Sequence, residues 1–167
     1  LIVSTGMATF AEVRQAVRTL RDAGHEDFTL LQCTTNYPSR IEDANVRAIP
    51  ALRSAFGCAV GYSDHTQSDT SSITAVALGA TMIEKHFTLD RTLPGPDHTS
   101  AAEPAEFALL VRRIRETEAA LGTGVKEPCA AELANAENMR RSLVTRCVIS
   151  KGETITEAML TCRRPAT

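Results

Sequence analysis

No run of apolar residues in this 167-residue chain approaches the roughly 20 that a membrane-crossing helix requires. Neither sign of charge is in surplus: 18 Lys and Arg stand against 20 Asp and Glu, a net charge of −2. That balance supplies no general attraction to nucleic acid or to an anionic membrane surface. The five cysteines, Cys33, Cys58, Cys129, Cys147 and Cys162, form no CxxC pair and no regular framework. An odd, scattered set suits free thiols in a reducing cytoplasm and argues against a disulfide scaffold. No GxGxxG follows any strand-like run, which weakens a dinucleotide-binding reading. The start, Leu1-Ile2-Val3, has neither the basic region nor the length of a signal peptide. It also lacks an initiator Met, so the chain is expected to begin within a longer protein.

What is present is a repeating unit. At 43% hydrophobic and 23% charged the composition is that of a soluble globular chain long enough for a real core. Strand-like runs begin near residues 1, 28, 58 and 81, each followed by a segment of helical period. The first helix carries a capping box, Thr9 with Glu12 at N3, ahead of Val13, Ala16, Val17 and Leu20 at helical spacing. Residues 45–56 read as a helix that Pro50 interrupts, and Pro104 opens a long helix where its missing N–H is harmless. Four consecutive βα units predict a parallel sheet with helices packed outside it, half of a (β/α)8 TIM barrel. An open doubly wound sheet is the alternative. Residues 1–121 form this half barrel and residues 122–141 a linker. Residues 142–167 begin a β-rich domain, with strands over 142–145 and 147–149, a turn at Lys151-Gly152-Glu153 and a short helical turn over 155–160.

The chemistry gathers where the strands end. Gly61-Tyr62-Ser63-Asp64-His65 and Ile83-Glu84-Lys85-His86-Phe87 each pass from apolar residues to a polar and ionisable cluster, and the two histidines lie 21 positions apart. Strand alternation puts Ser63 and His65 on one side with Asp64 opposite, and Glu84 and His86 on one side with Lys85 opposite. Contiguous Ser63, Asp64 and His65 therefore point apart and make no triad. One histidine after a strand is usually structural; two at equivalent ends of neighbouring strands can hold a divalent ion. Open positions beside two imidazoles suit Mn²⁺, Co²⁺, Fe²⁺ or Zn²⁺ better than Ca²⁺. Glu84 reads as an acid/base, a partner to the ligands or a lining salt bridge. Thr35 and Tyr37 form a similar pair one unit earlier, and Ser4 ends the first strand. Cys33 reads as a small buried hydrophobe and His98 as a loop residue. The loop Pro94-Gly95-Pro96-Asp97 offers a carboxylate suited to sugar hydroxyls.

The ordered set Ser4-Thr5-Gly6-Met7-Ala8, Cys33-Thr34-Thr35-Asn36-Tyr37-Pro38, Gly61-Tyr62-Ser63-Asp64-His65-Thr66, Ile83-Glu84-Lys85-His86-Phe87-Thr88 and Pro94-Gly95-Pro96-Asp97 resembles the sialic acid synthase (N-acetylneuraminate synthase) family. Arg141-Ser142, Lys151-Gly152-Glu153 and Arg163-Arg164-Pro165 resemble the start of that family's antifreeze-like (SAF) domain. The resemblance implies condensation of phosphoenolpyruvate with an N-acylated mannosamine-type sugar, giving a nine-carbon 2-keto sugar acid and phosphate. It implies a divalent metal, manganese first with magnesium or cobalt as substitutes, held by His65 and His86 and polarising the sugar aldehyde. Carried over by motif, Ser4 and Ser63 contact phosphoenolpyruvate, Thr35 is a small polar contact, and Tyr37 and Asp97 contact the sugar. Glu84 joins the two histidines as a catalytic residue. Arg164 reaches onto the sugar from the other subunit of a domain-swapped homodimer.

Two departures stand out. The family's Arg-Pro-Gly reads Arg164-Pro165-Ala166 here. The first half of the barrel, with its phosphoenolpyruvate-binding lysines, is absent, so this polypeptide alone is expected to be inactive. Three rivals remain. One is a legionaminic or pseudaminic acid synthase using a 2,4-diacetamido sugar. Another is a ketodeoxyoctulosonate-type aldolase, disfavoured by the Lys151-Gly152-Glu153 segment. The last is a non-catalytic carbohydrate- or ice-binding module, disfavoured by the retention of Ser63, His65 and His86.

Overall fold

A computed structural model describes residues 1–164. The chain forms two compact units, Leu1–Thr123 and Gly124–Thr167. In the first, β1 (Ile2–Ser4), α1 (Phe10–Asp22), β2 (Thr29–Cys33), α2 (Ala48–Phe56), β3 (Ala59–Asp64), α3 (Thr70–Ala77), β4 (Ile83–Lys85) and α4 (Pro104–Leu121) follow in order. The strands form one parallel sheet in the order β1-β2-β3-β4. Sequential parallel neighbours need a crossover helix between each pair, which is what the repeating unit supplies.

One face of the sheet holds the core. Leu30, Val60 and Tyr62 share that face and pack with Val13 and Val17 of α1, Ile49, Leu52 and Phe56 of α2, and Ala75 of α3. Val60 and Ile49 are wholly buried, and a side chain of this size removed from water stabilises by about 1.5–3 kcal/mol. Helix α4 packs along α3. Helices gathered on a single face are the arrangement of half a (β/α)8 barrel, whereas a doubly wound sheet carries them on both. The opposite face carries Ser4, Leu31, Cys33, Gly61, Ser63 and Glu84, placed there by the strand register. Gly61 is needed on it: a Cβ would stand 2.6 Å from Leu31 Cδ2 and 2.6 Å from the Met82 carbonyl oxygen.

Local chemistry explains the element ends. Thr9 and Glu12 form the reciprocal capping box expected for α1. Pro50 does not interrupt α2: the helix begins at Ala48, so Pro50 lies in the first turn, whose N–H groups have no intrahelical acceptor. Gly57 ends α2 in the left-handed region at φ 62°, open to glycine without strain.

In the second unit, α5 (Ala130–Met139) precedes β5 (Ser142–Thr145), which pairs antiparallel with β6 (Leu160–Arg163). Residues 147–149, expected as a strand, form none, and Val148 is 94% exposed. Strand pairing goes instead to 160–163, just after a 3₁₀ turn over Glu157–Met159. Lys151 and Gly152 form the expected turn, with Gly152 at φ 90°. Of the Arg164-Pro165-Ala166 motif, only Arg164 lies within the described residues. No helix among the described residues is long and apolar enough to cross a membrane.

Candidate active site

Register delivers the site. Cys33, Ser63 and Glu84 occupy one row across β2, β3 and β4. His65 and His86 each follow the last residue of a strand, β3 and β4, and continue the same alternation. Their ring centroids are 5.0 Å apart, with planes tilted by 55°. The loop after β2 is tied to the end of β3, where the Ser39 N–H donates to the His65 carbonyl at 2.8 Å and Ser39 bridges Thr66. This brings Tyr37 edge-on to both imidazoles, at 4.2 Å from His65 and 5.6 Å from His86. The Ser63 hydroxyl donates to Glu84 Oε1 at 2.6 Å. Cys33 Sγ lies 3.9 Å from His65 Nδ1. Ser4, Cys33, Tyr37, Ser63, His65, Glu84, Lys85 and His86 line an open hollow of about 380 Å³.

Burial holds His65 below the usual imidazole range, and the neighbouring His86 ring adds to the effect. The Asp64 and Glu84 carboxylates and the Thr34 carbonyl pull the other way. The net shift favours the neutral ring, the form that offers a lone pair to a metal. Two imidazoles with centroids at this separation can reach one ion with bonds of about 2.1 Å. Among the described residues no three His, Cys, Asp or Glu side chains are arranged to hold a metal. Any ion here would therefore complete its shell from substrate, water or groups beyond these residues.

Six of the residues singled out in the sequence thus share one hollow: Ser4, Tyr37, Ser63, His65, Glu84 and His86. Two others in this unit, Thr35 and Asp97, do not join them. Thr35 lines a neighbouring hollow of about 400 Å³ with Thr5, Gly6 and Gln32. Asp97 sits exposed on its loop, its carbonyl accepting from the Ser100 N–H. Arg164 is exposed after β6, in the second unit. His98 is engaged in its loop, its Nδ1 2.7 Å from Thr88 Oγ1. Asp64 and Lys85, which carry no role legible in the sequence, are buried together behind the histidines. Alternation signalled that they share the helix-facing side, but only the register shows that they meet.

Comparison with known proteins places these motifs in a wider set. Residues 1–126 match the NeuB family. An N,N'-diacetyllegionaminic acid synthase of Campylobacter jejuni is 45% identical over 168 residues, spanning 99% of this chain and 50% of the relative. A mouse (Mus musculus) N-acetylneuraminate-9-phosphate synthase is 38% identical over 98% of this chain and 45% of its own length. A crystal structure of N-acetylneuraminic acid (sialic acid) synthetase from Leptospira borgpetersenii, in complex with citrate, superposes with a TM-score of 0.74 at 41% identity. It covers 81% of this chain and 47% of that one. The chain spans about half the length of the curated relatives it matches.

Proposed function

The chain belongs to the NeuB family, and from that premise we propose that it forms the metal- and sugar-facing half of a synthase joining phosphoenolpyruvate to an N-acylated mannosamine-type sugar. The observation that carries the reading is the convergence of His65, His86, Tyr37 and the Ser63–Glu84 pair on one hollow at the strand ends. Function lies at that end of the strands throughout (β/α)8 enzymes. The products are a nine-carbon 2-keto sugar acid and phosphate.

His65 and His86 hold a divalent ion in this reading, Mn²⁺ first, with Mg²⁺ or Co²⁺ as substitutes. When bound, such an ion acts as a Lewis acid toward the sugar aldehyde. Glu84 is positioned by Ser63 to hold or release a proton beside the reacting carbons. Ser4 and Ser63 contact phosphoenolpyruvate. Tyr37 presents its hydroxyl to the sugar, Asp97 is a further sugar contact and Thr35 a small polar contact. Residues 142–167 begin an antifreeze-like (SAF) domain, from which Arg164 reaches the sugar of the other subunit in a domain-swapped homodimer. All five cysteines are free thiols, which suits a cytoplasmic enzyme.

A second reading changes only the sugar. The 45% identity to a legionaminic acid synthase exceeds the 38% to a sialic acid 9-phosphate synthase, which favours a 2,4-diacetamido hexose. The test is phosphate release by the full-length protein from phosphoenolpyruvate and Mn²⁺ with each sugar in turn. Turnover with one N-acylated hexose and none without sugar is expected. No turnover with any of them overturns the reading.

A further inference from the structure

Asp64 and Lys85 meet behind the hollow, on the opposite side of the strands from the imidazoles. They are register partners on β3 and β4, and each immediately precedes a histidine, Asp64 before His65 and Lys85 before His86. Their side chains are 0% and 7% exposed, and Lys85 Nζ donates to Asp64 Oδ2 at 3.1 Å. The same ammonium donates to the Thr66 carbonyl at 2.6 Å. Asp64 Oδ1 accepts from the Thr66 N–H and hydroxyl, both at 2.8 Å, and from Ser71 Oγ at 3.1 Å. Asp64 Oδ2 also accepts from Ser72 Oγ at 2.6 Å.

The consequence is geometric. The residues on both sides of His65 are bonded to the residue that precedes His86. The start of α3 is bonded to the same carboxylate through Ser71 and Ser72. A buried ion pair is a costly way to stabilise a sheet, since apolar residues of similar volume often serve as well or better. Its distinguishing property is fixed, directional bonding. Here that bonding spans the one pair of strand ends whose spacing the site depends on.

We propose that the Asp64–Lys85 pair is a positioning device that sets the separation of His65 and His86 and thereby the affinity of the site for its metal ion. Neither side chain acts as a ligand; both act through the histidines they precede. This inference rests on the reading of His65 and His86 as metal ligands. Outer groups that orient metal ligands are typically worth about 10–100-fold in affinity.

The experiment uses the full-length protein and Mn²⁺ alone. Free Mn²⁺ is titrated by electron paramagnetic resonance for wild type, Lys85→Met and Val17→Ala, with the melting temperature of each measured alongside. Lys85→Met keeps the side-chain length and leaves Asp64 four donors. It is expected to weaken Mn²⁺ binding about 10–100-fold. Val17→Ala opens the core between α1 and the sheet, away from the Asp64–Lys85 pair, and should lower the melting temperature with the Mn²⁺ affinity unchanged. Should Lys85→Met not fold, Ser72→Ala removes the other donor to Oδ2 and is expected to weaken binding several-fold. Mn²⁺ affinity of the variant within about twofold of wild type overturns the inference. A wild-type protein that binds no Mn²⁺ overturns the metal reading, and this inference with it.

Discussion

The Ser63 hydroxyl and the Glu84 carboxylate are bonded across the row that registers them, at 2.6 Å. The serine is buried and the glutamate opens onto the hollow, so the bond fixes one carboxylate oxygen at the edge of the hollow. Groups joined in this way act as a unit, and their losses do not add. A hydrogen bond to a charged group contributes about 1.5–3 kcal/mol. Ser63→Ala and Glu84→Gln should therefore each lower kcat/KM by about 10–100-fold in the full-length enzyme. The double variant should lose clearly less than the product of the two. Fully additive losses in a double-mutant cycle would show that the contact carries no function.

Tyr37 is half exposed yet stands edge-on to both imidazoles. Its ring and its hydroxyl should be separable. Tyr37→Phe keeps the aromatic contact, so Mn²⁺ affinity should hold while kcat/KM for the sugar falls about tenfold or more, the worth of a lost hydrogen bond. Tyr37→Ala removes the ring, and an edge-to-face contact is worth about 0.5–1.5 kcal/mol. It should weaken Mn²⁺ binding as well. Equal sugar kinetics in Tyr37→Phe and wild type would remove Tyr37 from the sugar contacts.

Much of this architecture is legible in the chain. Each strand is an apolar run ending in a polar cluster, and alternation alone separates Ser63 and His65 from Asp64. Thr9 and Glu12 mark a helix start because their side chains satisfy backbone groups locally. What is not legible depends on pairing. Cys147-Val148-Ile149 reads as a strand by composition, but pairing falls to Leu160–Arg163, a segment with no stronger local signal. The start of α5 is capped by Cys129, whose backbone N–H is held by Glu132 at 2.9 Å, and cysteine is not among the usual capping residues. Pro50 looks like a break until the helix start is known to within two residues. The Asp64–Lys85 pair needs the register of two strands, which sequence spacing leaves open.

Tyr62 gives a pH prediction away from the site. Its phenol is pushed up to about 12, by burial first and by the Asp64 carboxylate second. An unfolded tyrosine releases its proton near pH 10. Between pH 10 and 12 the unfolded chain has lost that proton and the folded chain has kept it, so stability falls as pH rises through this window. One such group contributes about 1.4 kcal/mol per pH unit there, and nothing below pH 10. Tyr62→Phe has no proton to lose. Urea midpoints of wild type should therefore drop faster than those of Tyr62→Phe from pH 10 upward, with parallel curves below it. Parallel curves throughout would place the phenol in contact with solvent.

Gly61 lies on the row of β3 that faces away from the helices. A Cβ there meets Leu31 Cδ2 on one side and Met82 on the other, its carbonyl oxygen at the same 2.6 Å as Cδ2 and its Cβ at 2.9 Å. The first is the end of a side chain and can turn aside. The carbonyl is backbone, and the Tyr62 N–H donates to that oxygen at 2.8 Å in the β3–β4 pairing. Gly61→Ala should cost about 1–3 kcal/mol, the range for overpacking a filled site. Shortening Leu31 removes only the first clash, so Gly61→Ala with Leu31→Ala should stay below Leu31→Ala alone. The remaining strain presses β4 away from β3, and both histidines follow those strands. Gly61→Ala should therefore also weaken Mn²⁺ binding in the folded protein, well below its melting temperature. Full recovery of stability in the double variant, to the level of Leu31→Ala, would show that the Met82 carbonyl yields freely and that the sheet tolerates a side chain at this row.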